Sequence, residues 1–554
     1  MLHNLTRKIL LHYHTLKYLK PVQVYGRILA QMPQFMRESK EHPTLQDFRP
    51  AVPFIPKHQA TSDLDSFSFL REPHRLSLSG WDNPAIPLLW RYNLHYFDFV
   101  NQEGSGNAVE FDRQSAIIRQ WISENPFKKG TGWMPYPNSL RIVNWIKWHW
   151  HTGGLSERAL VSLFDQVRLL THRPEYHVQG NHLFTNAKAL CFASAFFKGP
   201  EAAEWYRLAS GIIEKELDEQ FLADGAQFEL SPMYHCLAME DLLDLCNIAP
   251  ALPASFPLAR IRQKILDGLS WLEDMHYPNG ELAHFNDTAN GIAPDVDALF
   301  AYAARLGLRY ESQHDGRFWL HPESGFFVLR DGAVHMIADL GRIGPDHLMA
   351  HAHADTLSFE LAIAGRRLIV NSGTSLYGTS PERVRQRGTA AHSTLEIDGE
   401  DSSEVWMGFR VARRAYPTGL EISGDPNRGP VRVSCAHDGY TRLPGRPVHR
   451  RTWDYEENIL RITDTISGHF RSAKARFHLH PDIEAVSEKG RLELWIDGTK
   501  FATVTAKAGS RLLDMELREG SWHPRFGESI PNKCLVIDPG REHQLETIFE
   551  MHCP

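Results

Sequence analysis

The sequence predicts a multidomain fold, helical in its N-terminal part and an antiparallel β-sandwich in its C-terminal part. Three observations carry this. The chain has 554 residues, more than one hydrophobic core serves, so two large domains are expected. Between about 90 and 310, apolar residues recur at three- and four-residue spacing, the period of amphipathic helices. After about 320 the texture changes to short β-branched or aromatic runs that end in Gly or Asp-Gly, the spacing of an antiparallel sandwich.

Each part follows from its local pattern. Residues 1–40 read as one or two amphipathic helices. Residues 41–88 are rich in Pro and turn formers and read as an extended arm, so 1–88 is taken as N-terminal helices plus arm. The helical domain, 89–320, has helices expected over Ser115–Glu124, Ser139–His151, Ser156–His172, Gly180–Phe197, Ala202–Glu219, Cys236–Asn247 and Leu258–Met275. Gly, Pro and Asn punctuate the connections, as in NPFKKGTGW and HYPNGE. Many helices joined by short loops suit stacked antiparallel hairpins in a bundle, solenoid or toroid. The boundary is expected near 315–325. In 321–554, runs such as GFFVLRDG, LSFELAIAG, ILRITDTISG and RLELWIDG are the strands.

Composition narrows the function. A net charge of −7 argues against a general nucleic-acid binder, while a local cluster of Arg and His can still bind a polyanion. Thirty His and 14 Trp suit a carbohydrate site, where indoles stack on sugar faces and imidazoles move protons, although a large core accounts for most of the Trp. The six Cys contain no Cys-x-x-Cys pair, so neither a disulfide framework nor a thiolate zinc site is expected. The N-terminus has bases and leucines but no uninterrupted apolar stretch and no small-residue cleavage site, so it does not read as a signal peptide. No stretch is long and apolar enough to span a bilayer. On these grounds the sequence reads cytoplasmic.

Five constellations carry chemistry. DHLMAHAHADTLSFEL places His347, His351, His353 and Asp355 within nine residues. If extended, His351, His353 and Asp355 share one face before Leu357, Phe359 and Leu361 enter the core. Three readings compete: a metallohydrolase site, a catalytic His beside a structural metal ligand, and surface His without a role. The hydrolase pattern usually continues with a second His after the Asp, and here Thr356 follows. HVQGNHLFTNAKAL puts Asn181 and His182 in the first turn of a helix with Asn186 one turn below; Asn181 alone reads equally well as an N-cap. DGAQFELSPMYHCL places Gln227, Glu229, Tyr234 and His235 at a helix start capped by Ser231-Pro232. In WMPYPNSLRIVNWIKWHW, Arg141, Asn144, Trp145 and Trp148 share a helix face that suits an anionic sugar, or equally a buried face with one paired Arg. In QRGTAAHSTLEIDG, Arg387 and His392 read by themselves as surface residues at a loop end.

WRYNLHYFDF at 90–99, GNHLFTN at 180–186, ELSPMYH at 229–235, HAHADTLSFEL at 351–361, VNSGT at 370–374 and AHSTLEIDG at 391–399 occur together in the order seen in the heparinase II/III family of polysaccharide lyases, which the sequence resembles. The resemblance implies an (α/α) toroid followed by an antiparallel β-sandwich, with the cleft between them. It implies β-elimination at a uronic acid of an anionic polysaccharide, giving a 4,5-unsaturated end. Asn181 and His182 fall at the carboxylate-neutralising positions. Tyr234 falls at the Tyr that acts as acid, and as base too in syn elimination. His351 falls at the His that acts as base in anti elimination or assists neutralisation. Tyr92, Asn93, His95, Arg141, Asn144 and Glu229 would line or support the sugar subsites. No cofactor is required for the chemistry. Some members hold a structural zinc through two His and a carboxylate; the matching positions are His353, Asn371 and His392. Asn371 departs from the expected Asp, and a neutral amide is the poorer ligand, so the site for a structural zinc or other divalent cation reads as empty, weak, or completed by Asp355 or water. The resemblance also implies a periplasmic or secreted enzyme. Two other readings remain: a metal-dependent hydrolase centred on His351, His353 and Asp355, and a non-catalytic polysaccharide-binding protein on the same scaffold.

Overall fold

The computed structural model describes residues 2–32, 35–39, 42–104, 108–312, 314, 316–488 and 490–552, with side chains from residue 6 onward. It consists of an N-terminal (α/α) toroid followed by an antiparallel β-sandwich. The helices expected from periodicity form with slightly shifted ends: Ala108–Glu124, Pro135–Thr152, Glu157–Thr171, Gly180–Phe196, Pro200–Gln220, Pro232–Ile248 and Leu258–Asp274. Leu88–Tyr96 and Val296–Arg305 add two more. They form two layers. Leu88–Tyr96, Pro135–Thr152, Gly180–Phe196, Pro232–Ile248 and Val296–Arg305 pack in succession as an inner row, with the intervening helices outside.

Burial explains the layering. An outer helix such as Glu157–Thr171 buries one stripe, whereas Gly180–Phe196 is buried almost all round, the pattern of an interior helix. The inner row also carries buried charge. Lys147 and Lys188 reach Asp244 at 2.6 and 2.5 Å, and Lys57 reaches Glu240 at 2.6 Å, so each buried ion meets its opposite.

The N-terminal part is two helices, Leu2–Leu16 and Pro21–Ala30. The arm that follows is largely extended, with one hairpin pairing Ser66–Phe69 with Glu72–Arg75. The strands of the sandwich begin at Phe318–Leu320, after Val296–Arg305; position 315 of the expected boundary lies outside the described residues.

Among the described residues the sandwich has two nine-stranded sheets, antiparallel throughout. One runs from Pro417–Asp425 to Glu484–Glu488, and the other from Met515–Trp522 to Phe318–Leu320. Phe359, Leu361 and Phe477 of the second sheet meet Trp453, Ile462 and Phe549 of the first in one core. The alternate face of the second sheet offers Phe326, Ile337 and Ala362 to Trp271, Tyr277 and Phe285 at the edge of the toroid. Period-two alternation thus lets one sheet join both partners, and this seam positions the candidate site.

Arg451 ties the sheets together. It is wholly buried, donates to Asp464 at 2.7 and 2.9 Å, and donates to the carbonyls of Leu357 and Ser393 at 3.0 and 2.8 Å. The five described cysteines are free; Cys553 lies outside the described residues. No helix among the described residues is long and apolar enough to cross a membrane. Arg451→Met strands Asp464 without its guanidinium partner, a loss of about 3–5 kcal/mol. The thermal midpoint should fall by about 10 °C; an unchanged calorimetric midpoint would show that the pair is dispensable.

Candidate active site at the seam

The site is built from three short segments of the toroid and two of the sandwich domain. Helix Gly180–Phe196 begins after Gln179, whose φ is +66°, so Gln179 and not Asn181 is its N-cap residue. Gly180 has a φ of +56°, and a Cβ there would lie 2.5 Å from Leu348 and 3.0 Å from Glu229. Only glycine lets the helix start this close to the sandwich domain. Asn181 and His182 therefore sit in the first turn of this helix. The Asn181 backbone N–H donates to Glu229 at 3.4 Å.

His182 stacks on Tyr136, with centroids 4.1 Å apart, and its Nδ1 lies 3.2 Å from Glu175. Burial lowers the His182 pKa, but Glu175 and then Glu229 outweigh it, and the net shift is upward. Glu175 is held by Asn186, which accepts from its backbone at 2.8 Å and donates to its carboxylate at 3.1 Å. This gives Asn186 a function that the sequence left open.

Helix Pro232–Ile248 starts as expected, with Pro232 in its first turn and the Ser231 hydroxyl accepting from the Tyr234 N–H at 3.3 Å. Such a cap is worth about 1 kcal/mol, and it fixes Tyr234 at the helix start. The Tyr234 ring stacks on His351, with centroids 3.8 Å apart, and its hydroxyl shares a hydrogen bond of 2.9 Å with Tyr377. Burial, followed by the neighbouring Tyr377, raises the Tyr234 pKa well above that of an ordinary phenol.

The segment 351–355 is a loop, not the extended run expected; the strand begins at Phe359. His351 donates through Nδ1 to Asp287 at 3.0 Å, and its Nε2 lies 3.5 Å from Glu229. His353 is wholly buried and donates through Nε2 to the other oxygen of Asp287 at 2.9 Å. Arg383 makes a two-pronged contact with the same carboxylate, with one arm at 2.6 Å. Burial opposes ionisation of Asp287, but Arg383 and the two imidazoles overcome it and hold its pKa well below the usual range. Burial drives His353 down to about 4, so it is neutral near pH 7. His351 and His353 thus converge on a carboxylate already neutralised by a guanidinium, while Asp355 accepts from the Asn286 backbone at 3.2 Å. That is not the arrangement of a metallohydrolase centre.

The other expected site residues divide. Tyr92 and Asn93 are half-buried on Leu88–Tyr96. Tyr92 begins an aromatic row through Tyr96 and Tyr136 to His182, and burial pushes its pKa up to about 12. His95, Arg141 and Asn144 line no cleft. His95 is fully buried, accepts from Trp121 at 3.0 Å and is driven down to about 3 by burial and then by Arg141. Arg141 is fully buried, lies 3.9 Å over the Trp121 ring and donates to Gln166 and Asn138 at 3.0 and 2.9 Å. Asn144 donates to the Tyr96 carbonyl and to Asp98. The shared face of Arg141, Asn144, Trp145 and Trp148 is therefore interior. Arg141 and Asn144 are bonded to interior partners and the whole face is buried, so it cannot reach a sugar. His235 is likewise internal, bonded to the Gly268 carbonyl at 2.9 Å.

Arg387 and His392 are not surface residues; both are fully buried. Arg387 donates twice to the Ala352 carbonyl, at 3.0 and 2.8 Å, and so braces the loop carrying His351. His353 and His392 have ring centroids 5.2 Å apart. Nδ1 of His353, both nitrogens of His392 and Nδ2 of Asn371 are buried without hydrogen-bond partners among the described residues. The Asn371 carbonyl already accepts from the Ser393 N–H at 3.3 Å. Two imidazoles and a neutral amide do not fit a zinc centre of two His and a carboxylate. A different group could hold a metal: one ligand atom each from Asp274, His314 and His321 lies within 4.8 Å of the others. Burial opposes ionisation of Asp274, but bonds from the two imidazoles hold it at about 2.

Sequence reading missed Tyr136, Glu175, Asp287, Tyr377 and Arg383. Tyr136 stood within a recognised motif, and an Asp in the turn HFNDTAN was the one local signal for Asp287. Tyr377 and Arg383 lie in a loop and a short helix without chemical pattern.

An α-toroid joined to a β-sandwich, with a Tyr and a His stacked across the seam, is the architecture of polysaccharide-lyase-like folds. Residues 105–305 match the heparinase II/III N-terminus model and residues 313–548 the heparinase II/III-like C-terminal model. The chain belongs to the heparinase II/III-like family. A heparin-sulfate lyase of Bacteroides stercoris is 28% identical over 376 residues, covering 57% of this chain and 55% of the relative. The FtsZ-localized protein C of Caulobacter vibrioides is 26% identical over 347 residues, covering 58% and 57%. The chain spans about half the length of the curated relatives it matches. Among solved structures, heparinase III superposes with a TM-score of 0.69 at 17% identity, covering 96% of this chain and 89% of that one. A heparan sulfate lyase HepC mutant from Pedobacter heparinus gives 0.63 at 18% identity, covering 96% and 88%.

Glu175→Gln should lower the His182 pKa, read by NMR titration of its ring protons; an unmoved midpoint would show that Glu175 is not its source. The raised folded value means that the pair's stability contribution is complete below the unfolded value of about 6.5. It is lost as pH rises through the folded value. The variant should lack that alkaline loss.

Proposed function

We propose that the protein is a polysaccharide lyase that cleaves a uronic-acid-containing polysaccharide by β-elimination. The observation that carries this reading is the stacked Tyr234–His351 pair, fixed by Asp287, with Glu229 lying between His351 and the Asn181 backbone. The family supports it, as do relatives named heparin-sulfate lyases.

The C5 proton of a uronate lies α to a carboxylate and is barely acidic. Asn181 and His182 bind that carboxylate and drain charge from it, so the anion developing at C5 spreads onto oxygens held by hydrogen-bond donors. His182 suits this role because Glu175 favours its cationic form. Asp287 accepts the Nδ1 proton of His351 and leaves Nε2 as the basic nitrogen. Nε2 takes the C5 proton, the C4–O4 bond breaks, and the electron pair forms the C4–C5 double bond. Tyr234 keeps its proton in the ground state, because burial and Tyr377 disfavour the phenolate. It delivers that proton to the departing O4, and Tyr377 lies in position to relay a replacement. No cofactor enters the step. In this reading Tyr92 and Glu229 border the path of the chain as subsite residues, with Asn93 beside Tyr92 in sequence and bonded back to the Leu89 carbonyl.

Two other readings make different forecasts. A metal-dependent hydrolase would give no unsaturated product and would fail with chelators. A non-catalytic binder would give no product at all.

The test is a panel of polyuronates and glycosaminoglycans read at the ultraviolet absorbance of the 4,5-unsaturated uronate. Tyr234→Phe should lower kcat by at least about 100-fold while leaving KM within a few fold. Absence of the absorbance with every polymer in the panel would overturn the proposal.

A further inference from the structure

The two N-terminal helices are turned inside out relative to the helices of a soluble domain. Leu2–Leu16 meets the rest of the protein through a polar face. Trp406 donates to the Thr15 hydroxyl at 3.0 Å, Arg414 donates to the His14 carbonyl at 3.0 Å, and the Arg414 guanidinium lies 3.7 Å over the Tyr18 ring. Pro21–Ala30 does the same. Gln23 donates to the His347 carbonyl at 3.1 Å, and Gly26 packs so closely on His177 that a Cβ would lie 3.1 Å from it. The ion pair of Lys20 with Glu219 anchors the corner between them. The apolar residues point the other way. Ile9, Tyr13 and Leu16 recur at helical spacing on the outer side of the first helix, and Val24, Ile28 and Met32 on the outer side of the second, each at least half exposed. Ten of the 22 large apolar side chains exposed among the described residues lie between 9 and 35, so the exposure is concentrated in this segment and not scattered along the chain.

Charge says what covers it. Residues 1–37 contain Arg7, Lys8, Lys17, Lys20, Arg27 and Arg37 and no Asp or Glu, in a chain whose net charge is −7. Arg7, Lys8, Lys17 and Arg27 are exposed and form no ion pair among the described residues. On the first helix, Lys8 and Lys17 fall to either side of the Ile9–Tyr13–Leu16 strip at 100° per residue. An apolar strip flanked by cations and free of acids is the chemistry of a helix that lies in the interface of an anionic bilayer. Apolar side chains enter the acyl boundary and the long basic ones reach the headgroups. A symmetric contact with a second copy would set cation against cation without a carboxylate between them.

We propose that the paired helices 2–16 and 21–30 form a monotopic docking surface that binds the protein to an anionic lipid membrane. The acidic remainder of the chain is repelled by the same surface, so the molecule lands with this face down.

The experiment uses the full chain and vesicles of phosphatidylcholine alone or of phosphatidylcholine and phosphatidylglycerol in equal parts. Co-sedimentation is expected with the mixed vesicles only and should weaken as salt rises. Lys8→Ala and Lys17→Ala should each weaken it about five-fold. Tyr13→Asp with Ile28→Asp should abolish it, while circular dichroism and elution volume stay those of the parent protein. Failure to bind mixed vesicles overturns the proposal, as does equal binding to both vesicles without salt dependence. A concentration-dependent dimer that the double aspartate variant dissociates, without vesicle binding, overturns it in favour of self-association.

Discussion

Asp287 is the carboxylate on which the arrangement at the seam depends. Removing a carboxylate from water costs several kcal/mol. Here the cost is offset by two contacts from Arg383, one from each of His351 and His353, and a longer bond of 3.3 Å from Thr374. The backbone joins in, since the Asp287 N–H donates to the His351 carbonyl at 3.0 Å. The helix Pro381–Arg387 braces the same place twice, with Arg383 on the carboxylate and Arg387 on the Ala352 carbonyl. The loop that carries His351 is therefore over-determined, although it belongs to no strand or helix.

This network separates two histidines that the sequence sets only two residues apart. His353 is sealed, neutral and bonded inward. His351 borrows the same carboxylate yet turns its other nitrogen towards Glu229 and its face onto Tyr234. Spacing that suggests two equivalent ligands turns out to hold one buried prop and one ring stacked across the seam. The difference arises from where Asp287 sits between them.

Much of this was legible beforehand because it is periodic. Apolar spacing marked the long helices to within a few residues, and Gly-terminated runs marked the strands, since both patterns record which face meets a core. Asn181, His182, Tyr234 and His351 were singled out because they stand in compact motifs. Periodicity locates a face but not what covers it, which is why Arg141, Asn144 and His95 seemed fit for a ligand when they serve the contact between Leu88–Tyr96 and Pro135–Thr152. The same gap let Arg387 and His392 read as surface residues. Asp287, Tyr377 and Arg383 escaped for a different reason. Their partners lie 64, 143 and 96 positions away, and long-range pairing between loops leaves no period in the chain.

The stacked pair of Tyr234 and His351 straddles the toroid and the sandwich. Neither half owns this pair, so the two halves are constrained together at the joint between them. A hybrid that took its toroid from one relative and its sandwich from another would carry both residues, each with correct local surroundings. It would still have to re-create the sub-ångström fit of two rings 3.8 Å apart. A change on one side of the seam therefore calls for an answer on the other.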